Sequence, residues 1–372
     1  MFAILLILIF IRPFISSLAF PYLNAGYSGL LLIFLILWLI HKGIPIKTIQ
    51  AIQYPLVLFS LALIISVVFS INRFNSLKEI YKYVTGLFLF IIAASLNYTD
   101  KIRVINTIIS AGFIIGLLAI YQYFFGFRIL LNYTLKANIT DTFTLDYILR
   151  RRVYFPFVTP NTLAGYLAMV IPLALTPKNK IRYIIPLSFA LLLTTSLSAL
   201  LSIFLALTIY YYLKGRFKKE GGLFVSGVLV IIGLVFIARS MTQKQHLQPI
   251  FSTMMRLNYW KDTLRIIKTH PLAGVGLGNF NLLQSRYAHN SYLQLWAELG
   301  VFGLIAFLCL IINIFKHGLK NIKNSTYKNQ ITALTTATVV FLIHNFFDFT
   351  FFLPEVAIIW WVVLGMIYTK EK

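Results

Sequence analysis

Four groups of polar residues stand out in a sequence of 372 residues that is 59% hydrophobic. The first is Arg150, Arg151 and Arg152, followed by Thr159-Pro160-Asn161. Thr159 is a suitable helix cap and Pro160 a favoured first helical residue, so a helix is expected to begin here. Arginines just outside a helix N-terminus make a mouth that attracts anions. The guanidinium fork makes paired hydrogen bonds to phosphate oxygens, which suits Arg151, Arg152 and neighbouring Asn161 to a diphosphate. Interfacial arginines beside an ordinary capped helix would give the same pattern.

The second group is built on Arg256 and Trp260. Leu257, Trp260, Leu264 and Ile267 recur every three or four positions, which predicts a short amphipathic helix with basic residues on its other face. Arg256 opens this helix. Arg265 and Lys268 suit lipid headgroups, and Arg265 and Trp260 are also candidates for binding substrate. His270-Pro271 ends the helix, and Gly274, Gly276 and Gly278 form a loop able to approach a ligand or headgroup closely. The third group is His289-Asn290, leading into an apolar helix that carries Glu298. An imidazole can take a proton from an attacking hydroxyl near neutral pH; a structural cap is the other reading. The fourth group is His344, Asp348 and Glu355. Ionisable groups at membrane depth are costly and are usually functional or paired, so a supporting role such as orienting an arginine is expected.

These residues must be positioned by an unusual chain. Only 12% of it is charged, about half the fraction of a soluble domain. Apolar runs long enough to span a bilayer recur from end to end. The expected fold is therefore all-α: a single polytopic membrane helical bundle over 1–372 of about twelve transmembrane helices. Their expected positions are 2–20, 28–41, 53–71, 79–97, 103–125, 158–176, 181–197, 199–213, 222–238, 290–314, 331–349 and 354–369, with Thr194–Ser198 as the turn inside one long apolar run. Residues 1–20 read as the first helix and not as a removed signal peptide.

Alternate loops each carry two to four basic residues: Lys42 and Lys47; Lys101 and Arg103; Lys178, Lys180 and Arg182; Lys214, Arg216, Lys218 and Lys219; Lys316, Lys320, Lys323 and Lys328; Lys370 and Lys372. That side is expected to be cytoplasmic, with both termini inside. The opposite side then holds an outer loop at 126–157 with a basic cluster and a large one at 239–289, between helices 9 and 10. These outer loops are also basic, and their only carboxylates are Asp141, Asp146 and Asp262. An anionic ligand at the outer surface would account for that excess; anionic lipid headgroups would too. The net charge of +23 therefore belongs to a membrane protein, and nucleic acid is not an expected partner. A lone Cys309 excludes an internal disulfide, and no paired-acid motif offers a metal site. Aromatic residues, 16% of the chain, are mostly expected in interfacial belts.

The stretches THPLAGVGLGNF and AHNSYLQLWAELGVFGL, at 269–280 and 288–304, resemble the signature of the O-antigen ligase and polymerase superfamily. These are polytopic bacterial enzymes that transfer glycans from undecaprenyl diphosphate. The resemblance implies an arginine counterpart at Arg152, for which Arg150 or Arg151 could substitute, and a second arginine at Arg256, the two clamping one diphosphate. It implies His289 as the base or acceptor-positioning residue, with Asn290 beside it, and a His344–Asp348 pair in support. Two departures are visible: Phe155 stands where a glycine is common, and Leu197 where relatives commonly carry an arginine. The implied activity is that of an O-antigen ligase in the bacterial inner membrane, active site towards the periplasm. Its donor would be an undecaprenyl-diphosphate-linked glycan and its acceptor lipid A-core, with membrane lipids around it and neither metal nor cofactor. A polymerase that extends a growing glycan is the alternative. A lipid or sugar transporter ranks lower, because such proteins show broken helices at mid-membrane and the charge here lies in loops.

Overall fold

The computed structural model describes residues 1–45, 49–137, 142–215, 226, 227, 230, 233, 251–324 and 327–368. Among them the regular structure is entirely helical. The helices are α1 (Phe2–Ile11), α2 (Pro21–Lys42), α3 (Gln53–Val68), α4 (Arg73–Ser95), α5 (Tyr98–Tyr121), α6 (Phe127–Lys136) and α7 (Thr142–Leu149). They continue with α8 (Pro160–Leu173), α9 (Ile181–Leu193), α10 (Leu197–Leu213), α11 (Phe251–Thr269), α12 (Ser291–Asn324), α13 (Lys328–His344) and α14 (Pro354–Ile367).

Among the described residues, four helical stretches are long and apolar enough to cross a membrane: Pro21–Lys42, Gln50–Val68, Tyr98–Lys136 and Ser291–Lys320. Shorter apolar helices accompany them at Phe2–Phe14, Ile181–Leu193, Leu197–Leu213 and Pro354–Ile367. The chain is a membrane protein, with large aliphatic and aromatic side chains such as Leu30, Ile33 and Ile40 of α2 exposed along its outside. The expected ninth helix at 222–238 falls almost wholly outside the described residues, as do 239–250.

Several boundaries differ from the hydropathy pattern. The first apolar run is not one helix over 2–20. Pro13 follows Arg12 in a 3-10 turn that ends α1, and Arg12 turns fully inward. There it donates to Asn24 Oδ1 at 2.7 Å and pairs with Glu355 at 3.5 Å. Glu355, grouped above with His344 and Asp348, is thus the partner of Arg12. The second helix begins at Pro21, not 28, and the 126–157 loop is largely helical, as α6 and α7. Thr194 and Thr195 do break the long apolar run, with Thr195 at φ +52° and α10 starting at Leu197.

Two helices form the centre. Every residue of α14 is buried, and in α8 every residue but Asn161. A helix that is apolar all round belongs inside a bundle. α14 packs on α4, and α8 on α13. The α4–α14 approach depends on small residues: Gly86 faces the Trp361 indole and Gly365 faces the Phe90 carbonyl.

The α11–α12 connection is fastened to the chain's own backbone. α12 is kinked at Gly300, where φ is +70°. The break leaves carbonyls without helical partners, and the Gly274–Gly278 loop supplies them. Val275 N–H donates to Ala297 O at 2.8 Å and Gly276 N–H to Glu298 O at 3.1 Å, while Val301 N–H donates to Pro271 O at 2.9 Å. Asn279 Nδ2 reaches Ser70 Oγ at 2.7 Å and Ser76 Oγ at 3.1 Å, tying the loop to the α3–α4 turn. Gly274, Gly276 and Gly278 have φ of +72°, +96° and +68°. The close approach they permit is to helix backbone and the Ser70 and Glu79 side chains, where the sequence suggested a ligand or headgroup.

Candidate active site

The helix expected at Pro160 begins there. Thr159 has an extended backbone and its Oγ1 accepts from Thr162 N–H at 3.2 Å. Arg152 lies against this N-terminus, only 9% exposed. Its Nε donates to Thr194 O at 3.1 Å, its Nη2 to Asn161 Oδ1 at 3.3 Å, and its guanidinium sits 5.5 Å from the Tyr147 ring centre. Three separate elements therefore fix one fork: the α8 start, the α9–α10 turn and α7. The turn's contribution was not foreseeable, because it is a backbone carbonyl of Thr194. Arg151 is exposed, with φ +49°.

A helix forms here as α11, starting earlier than the pattern suggested, but Leu257 and Leu264 of the expected apolar face are exposed. Tyr259, Thr263 and Ile267 form its buried face, and Arg256, one turn before Tyr259, borders it. Nine residues on, Arg265 falls on the opposite side, since nine steps of about 100° make half a turn beyond two full ones. Arg265 is exposed and paired with Asp262 at 2.7 Å. Arg256 has no ion-pair partner among the described residues, and its charge acts on both His289 and His344.

His289 stands between the two halves of the site. Its backbone is left-handed, φ +53°, immediately before the Asn290 cap of α12. Asn290 Oδ1 accepts from Tyr292 N–H and Leu293 N–H at 3.0 and 3.1 Å, so this side chain's oxygen is spent on the helix. Trp260 holds the histidine by its backbone, Nε1 to His289 O at 3.4 Å, with its ring edge-on to Phe346. The imidazole lies parallel to Tyr259, centroids 5.5 Å apart, and edge-on to Phe349 at 4.7 Å. Its Nδ1 is buried without a hydrogen-bond partner. Burial pushes the His289 pKa down to about 4; Asp348 opposes that shift and Arg256 adds to it.

His344, at the end of α13, is fully buried beside the backbone of Asn161 and Ser198, with Gly165 making room for its ring. Its Nε2 is 4.0 Å from Asp348 Oδ2, while Asp348 Oδ1 caps Phe349 N–H at 2.8 Å. Ser291 Oγ donates to Asn345 Oδ1 at 2.8 Å and binds α12 to the same turn. Arg152, Asn161, Arg256, His289, His344 and Asp348 therefore gather at one end of α8, α11, α12 and α13. Arg151 and Arg265 do not join them. Tyr259, Phe349 and Gly165 belong to this arrangement and carried no signal in the sequence.

Two like arginine charges and one carboxylate leave this end of the bundle positive, in a setting where burial magnifies charge. It is suited to an anion, with a neutral imidazole alongside. Among the described residues no three His, Cys, Asp or Glu side chains converge as a metal site would need.

Residues 183–308 match the family model described as O-antigen ligase. Over that stretch, about a third of its length, the chain is similar to this family. The match contains Arg256, Trp260, His289 and Glu298, while Arg152, Asn161, His344 and Asp348 come from outside it and complete the same cluster. A Rickettsia conorii protein bearing the name "Putative polysaccharide ligase" is 25% identical over 362 residues, 88% of this chain and 82% of its own length. A Rickettsia felis protein of the same name is 25% identical over 302 residues, covering 73% and 69%. The similarity to this family and to these relatives supports an enzyme that transfers glycans.

Proposed function

We propose that the protein is an O-antigen ligase that moves a glycan from undecaprenyl diphosphate to a hydroxyl of a lipid A-core acceptor. The supporting observation is the convergence of Arg152 and Arg256, from two distant parts of the chain, beside a His289 nitrogen without a partner. The two guanidinium groups hold the diphosphate and stabilise the charge it gains as it leaves. The acceptor oxygen forms a bond to the anomeric carbon, the carbon–oxygen bond to the diphosphate breaks, and the hydroxyl proton passes to His289. Attack in line inverts that carbon. No metal is required, because the arginines carry the charge-stabilising role.

His289 alone is a weak base at a pKa of about 4. A bound diphosphate brings negative charge close to it and offsets Arg256, raising its basicity when the donor is in place. His344 and Asp348 act on position: they lock the α13 end against α8, where Asn161 holds Arg152. Trp260 and Asn290 set the backbone of His289. Arg151 and Arg265 serve the approach of the anionic carrier along the surface. The topology that fits is a bundle of about twelve spans in the bacterial inner membrane, both termini cytoplasmic and this cluster towards the periplasm.

The relatives' name favours ligation, and polymerisation on the carrier is the second reading. The deciding experiment supplies purified protein, in detergent and EDTA, with an undecaprenyl-diphosphate-linked glycan and lipid A-core. Glycan on lipid A, lost with Arg256→Ala, is expected. Longer carrier-linked chains would make the protein a polymerase, and no product of either kind would end the transferase reading.

A further inference from the structure

A second polar pocket opens on the far side of Phe349 from His289. The Phe349 ring meets His289 edge-on at 4.7 Å and stacks on Tyr287 at 4.1 Å, nearly parallel. Tyr287 is part of the wall of a partly open pocket between α4, α12 and the start of α14. Glu298, 4% exposed, lies in its wall, Oε1 accepting from Gln294 Nε2 at 3.0 Å and Oε2 from Gly278 N–H at 3.2 Å. Glu79 pairs with Lys82, and Arg286 at the mouth approaches Glu79 at 4.0 Å. Tyr83, Phe351 and Trp361 also line it.

The charge balance separates this pocket from the arginine cluster. Glu79 stands beside both cations, Lys82 and Arg286, so an anion gains little here. Donors and acceptors nevertheless alternate over an aromatic floor. Carboxylates accept from hydroxyl groups, ammonium and guanidinium groups donate to them, and flat rings cover the C–H faces of a pyranose. Kinked α12 and the Asn279 clamp keep the pocket open by fastening Gly278 beside Glu79.

We propose that the pocket formed by Glu79, Lys82, Arg286, Tyr287, Gln294 and Glu298 binds a neutral sugar ring of the transferred or the accepting glycan. This rests on the glycan-transfer reading and adds a place for the saccharide next to the reacting groups. The test uses the full chain in lipid nanodiscs and saturation-transfer NMR with methyl glycosides of glucose, galactose and N-acetylglucosamine. Transfer of saturation to at least one of these is expected, reduced at least about fivefold by Glu298→Gln and by Glu79→Gln, and retained by Arg256→Ala. Glu79 is partly exposed, so its variant reports even where Glu298→Gln fails to fold. In the transfer assay, a raised KM for the lipid acceptor alone assigns the pocket to the acceptor sugar, and for the donor alone to the donor glycan. Absence of any saturation transfer, signals in both glutamine variants as strong as in the parent protein, or unchanged KM for both substrates would overturn the proposal. Transfer that depends on Arg256 would leave the enzyme reading standing in each of those cases, whereas sugar binding without transfer would remove that reading alone.

Discussion

The imidazole of His344 fills the space that a side chain on Gly165 would need: a Cβ there would lie 2.5 Å from Cδ2 and 2.6 Å from Nε2. His344 is buried and cannot swing out to solvent. Gly165→Ala must therefore push α13 away from α8, the helix that carries Asn161 and, through it, Arg152. Overpacking of this kind costs about 1–3 kcal/mol. Thermal unfolding in detergent is expected to shift downward, with transfer reduced by more than the unfolded fraction explains. Gly116→Ala is the control, since its nearest neighbour would be 3.6 Å away. That variant should hold or gain stability by helix propensity, about 1 kcal/mol at most. Equal behaviour of the two variants would refute the argument.

Arg152 makes its role testable through geometry and not charge alone. Its fork reaches Thr194 O and Asn161 Oδ1 from two different nitrogens. A lysine keeps the charge but cannot make both bonds while facing a phosphate. Arg152→Lys is expected to lose at least about tenfold in kcat, and Arg152→Ala about a hundredfold or more, as for other charge-stabilising donors. Steady-state kinetics of the two variants measure this; full activity in the lysine variant would remove the diphosphate fork from the mechanism.

The pH profile follows from the His289 environment. A neutral imidazole is the useful form of a base, and burial holds its pKa near about 4 in the free enzyme. The profile of kcat/KM, which reports the free enzyme, should stay level from pH 8 to about 5 and fall only as pH approaches 4. An acid limb at the ordinary histidine value near 6.5 would contradict the buried position. Stability has the same sign. The unfolded chain binds this proton below about 6.5 and the folded one only below about 4, so the stability contribution is full above that window and declines as pH falls through it. His289→Gln should flatten both dependences.

What the sequence could convey depended on the range of each interaction. Thr159 and Pro160 announce their helix because capping is settled within four residues, and the Thr194–Ser198 turn is equally local. The stripe of Leu257, Trp260, Leu264 and Ile267 places α11 without giving its buried face, which is Tyr259, Thr263 and Ile267, so it was the resemblance and not the stripe that set Arg256 apart from Arg265. Tyr259 against His289, and Phe349 between His289 and Tyr287, join positions far apart in the chain. Nothing local marks them. The glycine loop shows a different limit. Three residues with positive φ declare that something comes close, without saying what. Here it is the broken α12, whose kink at Gly300 no hydropathy pattern displays, since both halves are apolar. Arg12 was hidden for the opposite reason: a charge within an apolar run passes as interfacial until Glu355, near the other end of the chain, is seen beside it.

Gly300 supplies the sharpest structural test of that fastening. With φ at +70°, a non-glycine residue pays about 1–3 kcal/mol in backbone strain. A Cβ would also overlap the carbonyl of Leu272, which is backbone and cannot rotate aside. Gly300→Ala should therefore straighten α12 or displace the Pro271–Gly278 loop, losing the bonds from Val275 and Gly276 to Ala297 and Glu298. His289, at the head of α12, would lose its register with Arg256 on α11, since Pro271 and Trp296 link those helices at 3.4 Å. The expected outcome is a lower unfolding temperature together with faster proteolysis within 271–290 and loss of transfer. Proteolysis mapped by mass spectrometry separates this from general unfolding. Cleavage spread evenly over the chain, or a variant as stable as the parent, would show that the kink does not hold the loop.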